Sequence, residues 1–143
     1  MRIIIIITLL ALCSLRTAAG QGCERCDPAP TGNTHELVFR NHCADPVRLA
    51  VSIPENGTWH TFGWERLDHN EKVSFVIAGR IYYYYAYRKG GVWSGKGETT
   101  ALKAPIVDGR FSYLDGEPLP HGTDVWFRRR NIDDNPVTTL TCD

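Results

Sequence analysis

The sequence predicts an all-β fold, an antiparallel β-sandwich or open barrel of about 7–8 strands. Three observations carry that prediction. Apolar and polar residues alternate with period two along several stretches, and turn residues recur at about the 8 to 12 residue spacing of sandwiches and barrels. No window of helix length combines a 3.6-residue apolar period with caps at both ends.

The elements follow in order. Residues 1–20 read as a secretory signal peptide, with Arg2 as a charged start, Ile3 to Leu12 as an apolar run, and Ala18, Ala19 and Gly20 as small exit residues. A run of ten residues, apolar except for Thr8, is too short to span a bilayer as a helix, which takes about 20. The expected product starts at Gln21 and is secreted or periplasmic, not membrane-spanning once the signal is removed. Residues 21–35 read as an extended arm holding Cys23-Glu24-Arg25-Cys26, because Pro28, Pro30, Gly32 and Asn33 favour irregular backbone. Residues 36–143 read as one β-sandwich domain.

Within that domain Leu37 and Phe39 alternate with Val38 and Arg40. After a turn at Ala44-Asp45-Pro46, Val47, Leu49, Val51 and Ile53 share one strand face. Pro54-Glu55-Asn56-Gly57 predicts a hairpin turn, since Asn-Gly takes positive φ at little cost, and Thr58 to Trp64 is its partner strand. Val73 to Ile77 and Ile81 to Tyr87 follow. Val92 to Gly95, Arg110 to Leu114, Asp124 to Arg129 and Val137 to Thr141 are shorter candidates. Arg128-Arg129-Arg130, followed by Asp133 and Asp134, reads as a solvated strand end.

Charge and cysteines bound the function. Without Arg2 and Arg16 the chain has 14 basic residues against 16 acidic ones, which gives no electrostatic reason to expect nucleic acid or an anionic membrane as partner. Cys23, Cys26, Cys43 and Cys142 remain after the signal, and two bridges in three pairings are open. The expected pairings send Cys23 and Cys26 each to a distant partner; the rival is a local Cys23–Cys26 bridge.

Other chemistry is thin. Gly90-Gly91-Val92-Trp93-Ser94-Gly95-Lys96-Gly97 lacks the Ser or Thr after lysine that a phosphate-binding loop uses for magnesium. Cys23, Cys26, His42 and Cys43 have zinc-ligand side chains, but an oxidising compartment favours bridges. Neither a metal nor another cofactor is expected, and no catalytic residue is assigned. Asn56-Gly57-Thr58 is a glycosylation sequon if the host is eukaryotic.

Arg40-Asn41-His42, Pro46 to Val51, Trp59, Gly63-Trp64, Tyr83 to Tyr87 and Trp93-Ser94-Gly95 occur in an order that resembles the bacterial domain-of-unknown-function family numbered 1036. The likeness covers roughly Leu37 to Phe127. It implies a small exported domain and supplies no catalytic residue. Where the family commonly has cysteines this chain has Arg40 and Glu71-Lys72, and Glu65 follows Gly63-Trp64 where a second tryptophan is usual. The family's bridges therefore do not transfer.

The aromatic residues carry the leading functional expectation. Tyr83, Tyr85 and Tyr87 face one way in a strand, and Tyr82 and Tyr84 the other. One set enters the core. The other covers a second surface or lies exposed, where aromatic rings mark binding sites. The expectation is a non-enzymatic module that binds a saccharide, peptide or protein through Tyr82, Tyr83, Tyr84, Tyr85, Trp59 and Trp93. The plainer reading is that both sets are buried, or that the outer tyrosines shield a sheet with their hydroxyls wet; if those rings are buried, the binding hypothesis on this surface fails. The alternatives are a structural or accessory envelope domain, and a hydrolase using His60 or His69 with a turn carboxylate. The last requires a pocket where one of those histidines meets Asp or Glu within hydrogen-bond reach.

Overall fold

The computed structural model describes residues 28–142. They form ten strands and no helix: β1 (Thr34–Asn41), β2 (Val47–Glu55), β3 (Thr58–Leu67), β4 (Lys72–Ala78), β5 (Ile81–Arg88), β6 (Gly91–Trp93), β7 (Leu102–Ile106), β8 (Phe111–Leu114), β9 (Thr123–Asn131) and β10 (Val137–Leu140). The all-β expectation holds. Of the ten, β7 escaped the sequence reading, because Pro105 demotes Leu102–Ile106 as a strand; it is tolerated at the sheet's edge.

The strands build two sheets of unequal width. The small one has order β10-β1-β4, with β1 parallel to β10 and antiparallel to β4. The large one has order β7-β9-β5-β2-β3-β8, and β6 pairs with the end of β5. Asn56 and Gly57 turn the β2–β3 hairpin with φ of +50° and +78°, as Asn-Gly predicts.

Each face of the large sheet has its own core. The first lies against the small sheet and contains Leu37, Phe39, Val47, Leu49, Val51, Ile77, Tyr82 and Tyr84. The second lies on the opposite face and contains Ala50, Trp59, Trp64, Tyr83, Phe111, Tyr113 and Phe127. It is closed because the large sheet curls upon itself. The Tyr113 hydroxyl donates to the Pro105 carbonyl at 3.0 Å, and the Trp64 indole N–H donates to the Val107 carbonyl at 2.8 Å. These bonds tie β8 and β3 to the β7 end of the same sheet.

At Gly63 and Gly95 the neighbours leave no room for a side chain. A Cβ on Gly63 would sit 3.0 Å from both Ala50 Cβ and the Phe111 ring. The β2–β3 register shifts between Leu49 and Ala50, so that Leu49 faces Glu65 and Ala50 faces Gly63. The extra residue of this bulge, Trp64, is delivered into the second core. A Cβ on Gly95 would lie 2.6 Å from both Ala101 Cβ and the Phe127 carbonyl oxygen.

Asn41 organises the other end. Its side chain is fully buried. Its amide nitrogen lies 3.0, 2.9 and 3.2 Å from the carbonyl oxygens of Asp45, Leu67 and Asp68, and its amide oxygen accepts from Cys43 N–H at 2.8 Å. One amide thus joins the β1–β2 connection to the β3–β4 turn.

Cys43 is bonded to Cys142 across a sequence separation of 99, with the Cα atoms 5.2 Å apart. This corrects the expected pairings, in which Cys23 and Cys26 reached distant partners: the two distant cysteines are bonded to each other. Parallel pairing of β10 with β1 brings the C-terminal end beside Cys43, an adjacency that cysteine spacing does not encode. Cys23, Cys26 and residues 1–20 lie outside the described residues. Among the described residues no helix is long and apolar enough to cross a membrane. The bridge fits an oxidising, extracellular-type compartment.

Candidate functional site

The expected aromatic surface does not exist as drawn. Tyr82, Tyr83, Tyr84 and Trp59 are 1%, 2%, 3% and 2% exposed. Tyr85 and Trp93 are half-buried. The reason is the curl: β5 lies centrally in a sheet covered on both faces, so both of its alternating tyrosine sets enter cores. Trp59 packs edge-on against Tyr83 with ring centres 5.3 Å apart, and Phe39 packs edge-on against Tyr82 at 5.8 Å. The six residues are also split between opposite faces, with Tyr82, Tyr84 and Trp93 on one and Trp59, Tyr83 and Tyr85 on the other.

What remains accessible follows from the mismatch in sheet width. Three strands cannot cover a face six strands wide, so a strip of the large sheet is left bare on each side of the small one. The first bare strip lies beyond β10. Cross-strand pairs Tyr82–Arg130, Tyr84–Arg128 and Ala86–Trp93 place these side chains on one face. Together with Thr138 and Thr139 of β10 they line a groove of about 660 Å³.

The groove is polar and internally balanced. Tyr82 shares a short hydrogen bond with the Thr138 hydroxyl, and burial raises its pKa above the ordinary value, opposed by that bond. Glu98 lies between two arginines, with Oε1 2.8 Å from Arg128 Nε and Oε2 3.7 Å from Arg130 Nη1. Arg128 Nε is buried and off the hydrogen-bonding direction of Glu98, so this contact is an ion pair, and among the described residues the N–H has no hydrogen-bond acceptor. The arginine run does stand at the end of β9, as expected, but pairing with β5 leaves Arg128 to Arg130 half-buried instead of fully solvated.

The second bare strip lies beyond β4, on β2, β3 and β8. Strand parity puts Glu55, His60 and Ser112 on its face, since Ile53 opposes His60 and Phe62 opposes Ser112. His60 Nδ1 is 2.7 Å from Glu55 Oε2, and His60 Nε2 is 2.6 Å from Ser112 Oγ. Phe62, Glu65 and Arg110 line the adjoining pocket of about 440 Å³. His69 is engaged differently, with Nδ1 2.9 Å from the Cys43 carbonyl and Nε2 2.8 Å from the Asn70 amide. Of the two histidines singled out in the sequence, His60 is the one that meets a turn carboxylate.

Ser112 and Arg128 were missed as site residues. Glu55 and His60 were within reach of the sequence, because the Asn56-Gly57 hairpin sets their register. Ser112 is 52 positions from His60 and carries no local signature. Among the described residues no group of His, Cys, Asp and Glu could hold a metal ion, and Cys43 is in the disulfide. No family model, curated protein or solved structure matches this chain.

Proposed function

We propose that the protein is an exported binding module, released to the periplasm or outside the cell by cleavage of residues 1–20, that holds a neutral saccharide in the groove beside β10. The observation that carries this reading is the half-buried Trp93 indole, set in one groove with the Arg128 and Arg130 guanidiniums and threonine hydroxyls. A sugar offers an apolar ring face for an indole and hydroxyls that need both donors and acceptors. Glu98 offsets the arginine charge, which favours a neutral ligand over a polyanion. The resemblance to the family numbered 1036 belongs to the same proposal and agrees with export.

The test is a glycan array probed with the disulfide-intact mature protein, followed by calorimetry on any hit. Trp93→Ala is expected to weaken binding at least tenfold, a difference of about 1.4 kcal/mol, and Arg130→Ala by a smaller factor. An array without binders, or a hit whose affinity Trp93→Ala leaves unchanged, would overturn the reading and favour a structural or accessory envelope domain.

A further inference from the structure

Beyond the saccharide groove, we infer that Ser112 is an activated nucleophile and that the strip beyond β4 is an esterase-type acyl-transfer site. The claim rests on the serine–histidine–carboxylate chain and its pocket, and it is independent of the groove on the far side of β10. A serine hydroxyl is a weak nucleophile until a base takes its proton, and an imidazole is an effective base when a third group orients the ring. Ser112 Oγ lies 2.6 Å from one imidazole nitrogen, and Glu55 Oε2 lies 2.7 Å from the other. A carboxylate accepts hydrogen bonds, so Glu55 fixes Nδ1 as the protonated nitrogen and leaves the Nε2 lone pair facing the serine.

The setting supplies the other requirements. Each of the three residues comes from a different strand of one continuous sheet, so the backbone holds their spacing instead of a loop. The His60 ring lies 4.9 Å from the Phe62 ring, and Phe62 in turn packs edge-on against Phe75 at 5.4 Å. The imidazole therefore has an apolar neighbour anchored to the small sheet. Phe62 gives the 440 Å³ pocket an apolar wall for an acyl group, and Arg110 gives it a cation for the developing oxyanion. Glu65, 3.4 Å from Arg110, forms an exposed ion pair with it beside the pocket.

The reaction balances without a metal or redox partner. Ser112 Oγ attacks the carbonyl carbon of a carboxylic ester, and its proton passes to His60 Nε2. The carbonyl C–O bond to the leaving alcohol then breaks, and the departing oxygen takes the proton from His60. Water attacks the acyl-serine with His60 again as base. The carboxylic acid leaves, and the Ser112 hydroxyl is restored. Glu55 touches no substrate and acts as a positioning residue.

The experiment is covalent labelling of the folded, disulfide-intact mature protein with a fluorophosphonate, and separately with p-nitrophenyl acetate, read by intact mass and peptide mapping. The expected result is a single adduct on Ser112. His60→Gln is expected to slow its formation at least 100-fold, within the range of general-base contributions. Glu55→Gln should slow it by a smaller factor that Glu55→Asp partly restores. All three side chains are at least partly exposed, and an unchanged circular dichroism spectrum would show that the variants fold. Labelling confined to lysines and tyrosines would overturn the inference. So would a Ser112 adduct that forms equally fast in His60→Gln.

Discussion

The two bare strips of the large sheet are made by the same accident of width, yet they carry different chemistry. The strip beyond β10 has its side chains tied up, with Glu98 placed between Arg128 and Arg130 and Tyr82 bonded to Thr138. It is polar and bounded on one side by β10 of the other sheet. The strip beyond β4 has the smaller recess, about 440 Å³ against 660 Å³, and its groups form a directed chain from Glu55 through His60 to Ser112. The contrast teaches that a groove needs both sheets, whereas a relay can be built on one. The groove should fail whenever β10 shifts. The three side chains of the relay come from the β2–β3 hairpin and β8, with none from β10.

The largest expected effect comes from releasing β10. Replacing Cys43 and Cys142 by alanine removes a cross-link over a separation of 99 residues. Loop-closure entropy puts the cost at about 4 kcal/mol, measurable by chemical denaturation. In variant protein that still folds, amide exchange should accelerate first in β10 while β3 and β8 stay protected. Equal acceleration in both regions would break the proposed contrast.

Asn41→Ala should come next, at about 3 kcal/mol, because it strips hydrogen bonds from the buried Cys43 N–H and Leu67 carbonyl and from the part-buried Asp68 carbonyl. Asn41 joins the β1–β2 connection, which carries Cys43, to the end of β3 and the turn after it. Its loss should therefore lower protection on both sides together, unlike the disulfide variant. A loss confined to β10 would place the amide's role wrongly.

The smallest effect tests the groove wall. Thr138→Val removes the partner of the Tyr82 hydroxyl and should cost about 1 kcal/mol. It also has a pH signature. Burial raises the Tyr82 pKa above 10.0 in the folded protein, so folding favours the neutral phenol. That contribution is present below pH 10, the unfolded value, and is lost as pH rises through the raised folded one. Burial also raises the Tyr85 pKa, so alkaline spectrophotometric titration should find two delayed tyrosines. Tyr82 alone should be delayed further in Thr138→Val, since the bond to Thr138 opposes its rise. An unchanged titration curve would remove Thr138 from the account.

Much of the fold was legible because its signals are local. Val47 to Ile53 alternates over one strand, and Asn56-Gly57 is adjacent to both strands it joins, so hairpin and register follow from a few neighbouring residues. The Tyr82 to Tyr87 strand was legible as a strand and misleading as a surface. Alternation says that two sets of rings point opposite ways; it cannot say that a curled sheet covers both. Cysteine pairing failed for a related reason, because it depends on which strand ends meet.

By itself the sequence determined the all-β class, the main strands, the Asn-Gly hairpin and an expectation of export, since each is encoded in short-range pattern and composition. Tertiary structure decided that the tyrosines are buried, that Cys43 meets Cys142, and that Ser112 stands beside His60. Those outcomes depend on how wide each sheet is and where the large one closes. Both are properties of contacts between residues far apart in the chain, which no local pattern specifies.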